Sequence, residues 1–250
     1  MSIEGSFTDF HIDFGGSAVW YHVMKGKKIF YVAPPTETNL ARYRKWSASH
    51  KASIPDSSVK DALHEWFFGN RLEDCKAVHL VESETVCIPS GWIHAVYTPV
   101  DSVAFGGNFL TGLNIPMQLT VDAIDQESMN DEYRYPLFAA VLWFAAKHMY
   151  ECLYLNKGTL STFEFNGIES LVTALKNQWE KLEKCTKLSA WQKKTQKAAF
   201  RVRDDLKMEN PLELLNALQL KIQEVCKIRV PTKSLSASRK VRLPVRVQKI

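Results

Sequence analysis

The run TDFHIDFGG, residues 8–16, sets His11 and Asp13 two positions apart in a segment of alternating aromatic and polar residues. Side chains alternate across a strand, so His11 and Asp13 share one face while Phe10, Ile12 and Phe14 share the other. The apolar face belongs to a core. The other face must be hydrated, hydrogen-bonded or bound to a metal, because burying an imidazole and a carboxylate unpaired costs several kcal/mol. An H-x-D pair alone fits a hydrogen-bonded surface pair as well as half of a metal site.

A second segment narrows that choice. CIPSGWIHAVYTP, residues 87–99, reads as a strand, a Pro89-Ser90-Gly91 turn and a further strand carrying His94. A double-stranded β-helix brings such a strand beside one holding an H-x-D pair. Two imidazoles and one carboxylate then occupy one face of a non-haem Fe(II) ion and leave the opposite face open for co-substrate and oxygen. His50, His64, His79 and His148 lie in no comparable context and read as ordinary surface or core residues, while His22 reads as packed.

The elements that must position these residues divide the chain in two. Residues 7–33 read as two or three strands broken at Gly15-Gly16 and Gly26 and closed by Pro34-Pro35. Residues 36–46 read as a short helix and residues 47–61 as a polar, turn-rich loop. Strand character returns over 77–81, 85–89, 93–98 and 102–109. Beyond Pro116 the apolar period becomes helical over 117–129, 136–155, 167–185 and 210–228, the last opening at Asn210-Pro211 with Glu213. The expected class is α+β: an all-β part over 1–115, a helical part over 116–226 and a tail over 227–250.

Composition sets the outer bounds. With 250 residues and 46% apolar content, the chain can bury one full core, or one core with an appendage. No apolar run reaches 18 residues, which argues against a membrane span, and the N-terminus lacks the pattern of a signal peptide. Five cysteines form no C-x-x-C pair, which argues for reduced thiols over a disulfide framework or structural zinc. Residues 227–250 hold eight Lys or Arg and no acid, so the whole positive excess lies in this tail and the other 226 residues, with 24 basic and 27 acidic, are net −3. A tail of this kind reads as a solvated, disordered arm, or as a contact for DNA or an import receptor.

The segments TDFHIDFGG, VWYHV, PSGWIHAVYTP and FGGNFL together resemble the JmjC domain of Jumonji histone lysine demethylases, nearest the F-box-, CXXC- and PHD-finger-linked members. The resemblance runs from residue 1 to about 150. It implies a cupin-like jelly roll, the double-stranded β-helix, with His11, Asp13 and His94 holding Fe(II) and 2-oxoglutarate as co-substrate. Thr8 and Lys28 resemble the residues that hold the distal carboxylate of 2-oxoglutarate, and Tyr21 and Asn108 resemble pocket-lining positions. Read from residues alone, Lys28 is a solvated strand-end lysine beside Lys25 and Lys27, Tyr21 a packed ring and Asn108 a turn residue.

The implied activity is nuclear: oxidative demethylation of methyl-lysine on the histone H3 tail of a nucleosome, releasing formaldehyde and succinate. NIPMQL, residues 114–119, and PSGWIHAVYTP lean towards the F-box-linked members, hence lysine 36 of the histone. The PHD-linked members, acting on lysines 9, 27 or 20, stand as alternatives. A protein hydroxylase on the same scaffold and a non-catalytic chromatin-interaction module are the competing functions. Met1-Ser2-Ile3 resembles the interior of a family strand, so the barrel is expected to be incomplete at its N-terminus and the chain weakly active. Residues 47–63 resemble an insertion, and past residue 155 only helical periodicity guides the reading.

Overall fold

Alternating β-branched and aromatic residues yield five strands in the computed structural model, which describes residues 1–50, 67–128 and 135–228. They are β1 (Phe7–His11), β2 (Ala18–Ala33), β3 (Lys76–Val81), β4 (Thr85–Ile88) and β5 (Ile93–Phe109). All pair antiparallel in the order β1-β5-β2-β3, with β4 alongside β2.

Two expected breaks are bends within continuous strands. β2 runs through Gly26, whose φ of +87° is a left-handed conformation, and a Cβ there would collide with the Asp101 carbonyl. The β2–β5 register slips between Val23 and Ile29, which is the signature of bulges. The segments 93–98 and 102–109 are likewise one strand. The bend folds both arms of β2 around a common interior, since Val19 and Val23 from one arm cluster with Phe30 from the other and with Leu80 and Ile88.

The opposite face of the sheet is covered by helices. Phe10, Ile12, Ala33, Ile93 and Ala95 pack against Tyr43 of α1 (Glu37–His50) and against Val121 and Ile124 of α2 (Ile115–Ser128). Helix α1 outruns its expected end and takes in residues 47–50; Trp46 stacks on Phe68 at 4.5 Å and anchors that end. The rest of the expected 47–61 loop, and the insertion read there, lie outside the described residues. Phe14 departs from the alternating pattern because β1 stops at His11 and residues 14–16 form a 3-10 turn; its ring is 37% exposed.

The helical part continues with α3 (Phe138–Tyr154), α4 (Thr162–Lys184), α5 (Ala190–Asp205) and α6 (Pro211–Ile228). Periodicity overlooked α5 because its buried stripe is only Thr195, Ala198, Ala199 and Val202, too small to stand out among lysines. Capping boxes start α4 at Ser161 with Glu164 and α5 at Ser189 with Gln192. Trp143, Ile168, Leu171, Leu175, Leu214, Leu215 and Leu218 form the core of this part. Helix α2 joins the two parts by packing on the 14–16 turn, where a Cβ on Gly16 would lie 3.0 Å from Gln118 Cα. Among the described residues no helix is long and apolar enough to cross a membrane. The basic tail past residue 228 lies outside them.

Candidate metal centre

His11 and His94 are direct cross-strand partners in the β1–β5 ladder, and their ring centroids lie 4.2 Å apart. Each ring is fixed through Nδ1: His11 to the Asp9 carbonyl at 2.9 Å and His94 to the Trp92 carbonyl at 3.1 Å. A carbonyl only accepts, so each Nδ1 carries a proton, and Nε2 is the nitrogen of each ring that a metal could take. Asp13 Oδ2 lies 3.8 Å from His94 Nε2. One ligand atom from each of the three residues falls within 4.8 Å of the other two, the spacing of donors around a single ion. Burial, and next the neighbouring His11, push the His94 pKa down to about 4, against the opposing pull of Asp13. Neutral imidazole is the form that binds a metal.

The H-x-D segment is clamped from three sides. Tyr43 of α1 accepts the Ile12 backbone N–H at 3.3 Å, between the two candidate ligands, and burial pushes its phenol pKa up to about 12. Asp125 of α2 accepts the Gly15 N–H at 2.7 Å. The Ser90 hydroxyl, from the turn preceding β5, donates to the Gly16 carbonyl. Thus the turn that presents His94 is bonded to the turn that follows Asp13.

Thr8 and His11 are three residues apart, and regular alternation would put them on opposite faces. The ladder pairs Thr8 with Val96 and His11 with His94, so β1 carries one extra residue between them and both side chains share a face. Lys28 belongs to the same interior. Its side chain is 3% exposed and Nζ donates to Thr98 Oγ1 at 2.6 Å. The solvated reading of Lys28 is therefore overturned: this ammonium is buried, and burial lowers its pKa. No carboxylate faces it among the described ion pairs. The hydroxyl bonded to it is that of Thr98, whereas Thr8 is exposed. Tyr21 sets its ring edge-on to Phe30 at 5.1 Å, and Asn108 donates from Nδ2 to Ser17 Oγ at 3.1 Å. Asn108 lies within β5, not in a turn.

Residues 1–109 match the family profile described as JmjC domain, hydroxylase, and residues 113–224 match that of the Jumonji helical domain. The chain carries a JmjC domain followed by a Jumonji helical domain. It is similar to Lysine-specific demethylase 2B of Mus musculus, 47% identical over 154 residues, which are 61% of this chain and 11% of that protein. Lysine-specific demethylase 7A of Homo sapiens is 43% identical over 187 residues, covering 73% and 19% respectively. Histone lysine demethylase PHF8 of Danio rerio is 41% identical over 187 residues, covering 73% and 17%. The chain therefore spans about a tenth to a fifth of the length of these relatives.

The residues around the candidate metal centre that sequence reasoning missed are its supports. Thr98 sits in the quoted PSGWIHAVYTP, four residues after His94 and so on the same strand face, and strand alternation alone could have flagged it. Tyr43, Ser90 and Asp125 gave no such signal, because their roles depend on tertiary packing. The Jumonji helical domain match runs to residue 224, well past residue 155, where resemblance gave way to periodicity.

Proposed function

We propose that this chain demethylates methyl-lysine on histone H3 in an Fe(II)- and 2-oxoglutarate-dependent reaction, with His11, Asp13 and His94 as the metal ligands. The observation that carries this reading is the convergence of two imidazoles and a carboxylate on one face of a sheet whose interior also holds the Lys28 ammonium. The donor set fits Fe(II): three ligands from one side leave positions free for a co-substrate. A buried cation without a counter-charge is costly unless an anionic ligand completes it.

Fe(II) and 2-oxoglutarate, when bound, would couple reduction of molecular oxygen to oxidation of an N-methyl carbon, which would leave as formaldehyde while 2-oxoglutarate loses carbon dioxide to become succinate. The chain's own groups provide position and charge. Lys28 holds the distal carboxylate through a charge-assisted hydrogen bond, with Thr98 fixing its Nζ. Thr8 adds a hydroxyl at the rim, and Tyr21 and Asn108 line the cavity wall. The carbonyls of Asp9 and Trp92 hold both imidazoles in the metal-binding tautomer. Val19, Val23, Phe30 and Ile88 keep the interior dry.

Lysine 36 is the favoured target on the strength of the motif resemblance, and the nucleus with its nucleosomes is the matching location. The family description as a hydroxylase supports a second reading, in which the product keeps its hydroxyl group and releases no formaldehyde. Incubating the protein with Fe(II), 2-oxoglutarate and H3 peptides methylated at lysine 36, 9, 27 or 20 separates the two. Formaldehyde formed in step with succinate, greatest on the lysine 36 peptide, is the expected result. Succinate formation with a peptide that gains oxygen would establish the hydroxylase instead. No turnover with iron bound would leave a chromatin-interaction module.

A further inference from the structure

Between residues 181 and 203 the chain holds eight Lys or Arg and a single acid, Glu183, and helix α5 arranges much of that charge in a line. Lys193, Lys197 and Arg201 recur every four residues and all three are exposed, while Ala198, Ala199 and Val202 of the same helix are buried. At 1.5 Å of rise per residue, successive cations stand about 6 Å apart along the axis. Lys194 lies beside the row with its Nζ 5.4 Å from the Trp191 ring.

Surface helices ordinarily pair opposite charges at this spacing, and like charges at i and i+4 destabilise the helix. Here the spacing is like against like twice over, and the nearby acids are bonded mainly to other groups. Glu183 accepts the indole N–H of Trp179 at 2.8 Å, Asp204 is held by Arg203 at 2.6 Å, and Asp205 is bonded to Lys147 at 2.6 Å, with Arg201 a lesser charge acting on the same carboxylate. None of the described ion pairs includes Lys193, Lys197 or Arg201. The helix tolerates this repulsion because its start is secured by the Ser189–Gln192 capping box and its other face is packed. A helical row of exposed cations outside any described ion pair complements a polyanion of regular charge spacing, and duplex DNA presents one negative charge per about 1.7 Å of its axis.

We propose that the exposed face of α5 in the Jumonji helical domain is a docking surface for the phosphate backbone of duplex DNA. This surface belongs to a different element from those that carry His11, Asp13 and His94, and it reads no base sequence. It would hold the domain against DNA whatever modification the JmjC domain acts on.

The test is fluorescence anisotropy with the full chain and a mixed-sequence DNA duplex of about two helical turns, titrated at several salt concentrations. The triple change Lys193→Gln, Lys197→Gln, Arg201→Gln is expected to weaken binding by tenfold or more at moderate salt. It should also flatten the slope of log K against log salt by about three, one per lost phosphate contact. The same three positions changed to Arg, Arg and Lys should restore both values, which a loss of fold would not allow. A variant that instead neutralises the five Lys and Arg of residues 239–249 should keep the α5 contribution to the slope. An unchanged salt slope in the triple variant would overturn the proposal. So would loss of binding to poly-glutamate with full retention on duplex, which would assign the face to an acidic protein.

Discussion

The sheet and helices α3, α4 and α6 treat buried polar groups differently. In the sheet, Lys28, His94, Thr98 and Ser90 are all buried, and the candidate site is built from or beside them. Among helices α3, α4 and α6 the buried side chains are almost entirely apolar, with Trp143, Leu171, Leu214, Leu215 and Leu218 wholly enclosed. Buried polarity is costly, so a buried cation and imidazole side by side mark where chemistry has been given precedence over stability. The helical half buries polar side chains on α2, at Gln118, Asp122 and Asp125, and at Thr195 of α5, and keeps α3, α4 and α6 for apolar packing. It supplies apolar burial and, through α2, braces the turn next to Asp13.

The largest expected effect falls on the sheet. Replacing His94 or Asp13 with Ala should abolish measurable Fe(II) binding and turnover, beyond the 10–100-fold that loss of an outer partner costs. The melting temperature of the metal-free protein should barely move. A large drop in metal-free stability would mean these groups serve folding, and the contrast would collapse.

The helical half should respond the other way. Leu171→Ala leaves a cavity in a fully enclosed core and is expected to cost about 3 kcal/mol by urea denaturation. Fe(II) affinity of the folded fraction should stay as it was. A shift in both measurements would show that the two parts are coupled more tightly than their separate cores imply.

Lys28 sharpens the comparison because it puts stability and function in opposition. The double change Lys28→Met, Thr98→Val removes a buried cation together with its hydrogen-bond partner, and should raise the melting temperature in the absence of ligand. It should also raise the 2-oxoglutarate concentration needed for half-maximal turnover by more than tenfold. Tyr43→Phe is expected to be milder, costing about 1–2 kcal/mol because the Ile12 N–H loses its acceptor. A proportionate loss of Fe(II) affinity would identify it as a positioning residue for the ligand pair.

The smallest effect concerns the capping box of α4. Ser161 donates to Glu164 through its backbone N–H and hydroxyl, which lowers the Glu164 pKa. A carboxyl whose folded pKa is depressed contributes stability above its unfolded pKa and loses it as pH falls through the folded value. Ser161→Ala should therefore cost about 1 kcal/mol at neutral pH, and the difference from the parent protein should fade in acid. A difference that stays constant with pH would assign the cap to the serine alone.

Much of the candidate site was legible because its residues are local to strands. That His11, Asp13 and His94 lie together follows from the H-x-D spacing and from the Pro89-Ser90-Gly91 turn that marks where β5 begins. What escaped the sequence was the geometry of irregular strands. Gly26 reads as a turn because glycine ends most strands, yet here the positive φ sits in a bulge that lets β2 curve. Thr98 was passed over for Thr8 because motif position says nothing about which hydroxyl reaches the Lys28 ammonium. Helix α5 was invisible to hydrophobic periodicity for the same reason that it now draws notice: its conspicuous pattern is one of charge.

The pairing of His11 with His94 also has a meaning in time. The two residues are neighbours across one ladder, yet nearly the whole JmjC domain lies between them in the chain. Closing so long a loop is slow and follows the local hairpins. During synthesis His11 emerges first and must wait for all of β2, β3 and β4 before its partner strand exists. A nascent chain therefore lacks the paired His11–His94 face until β5 has been made, and a metal held there would report completion of the sheet, not the appearance of a motif.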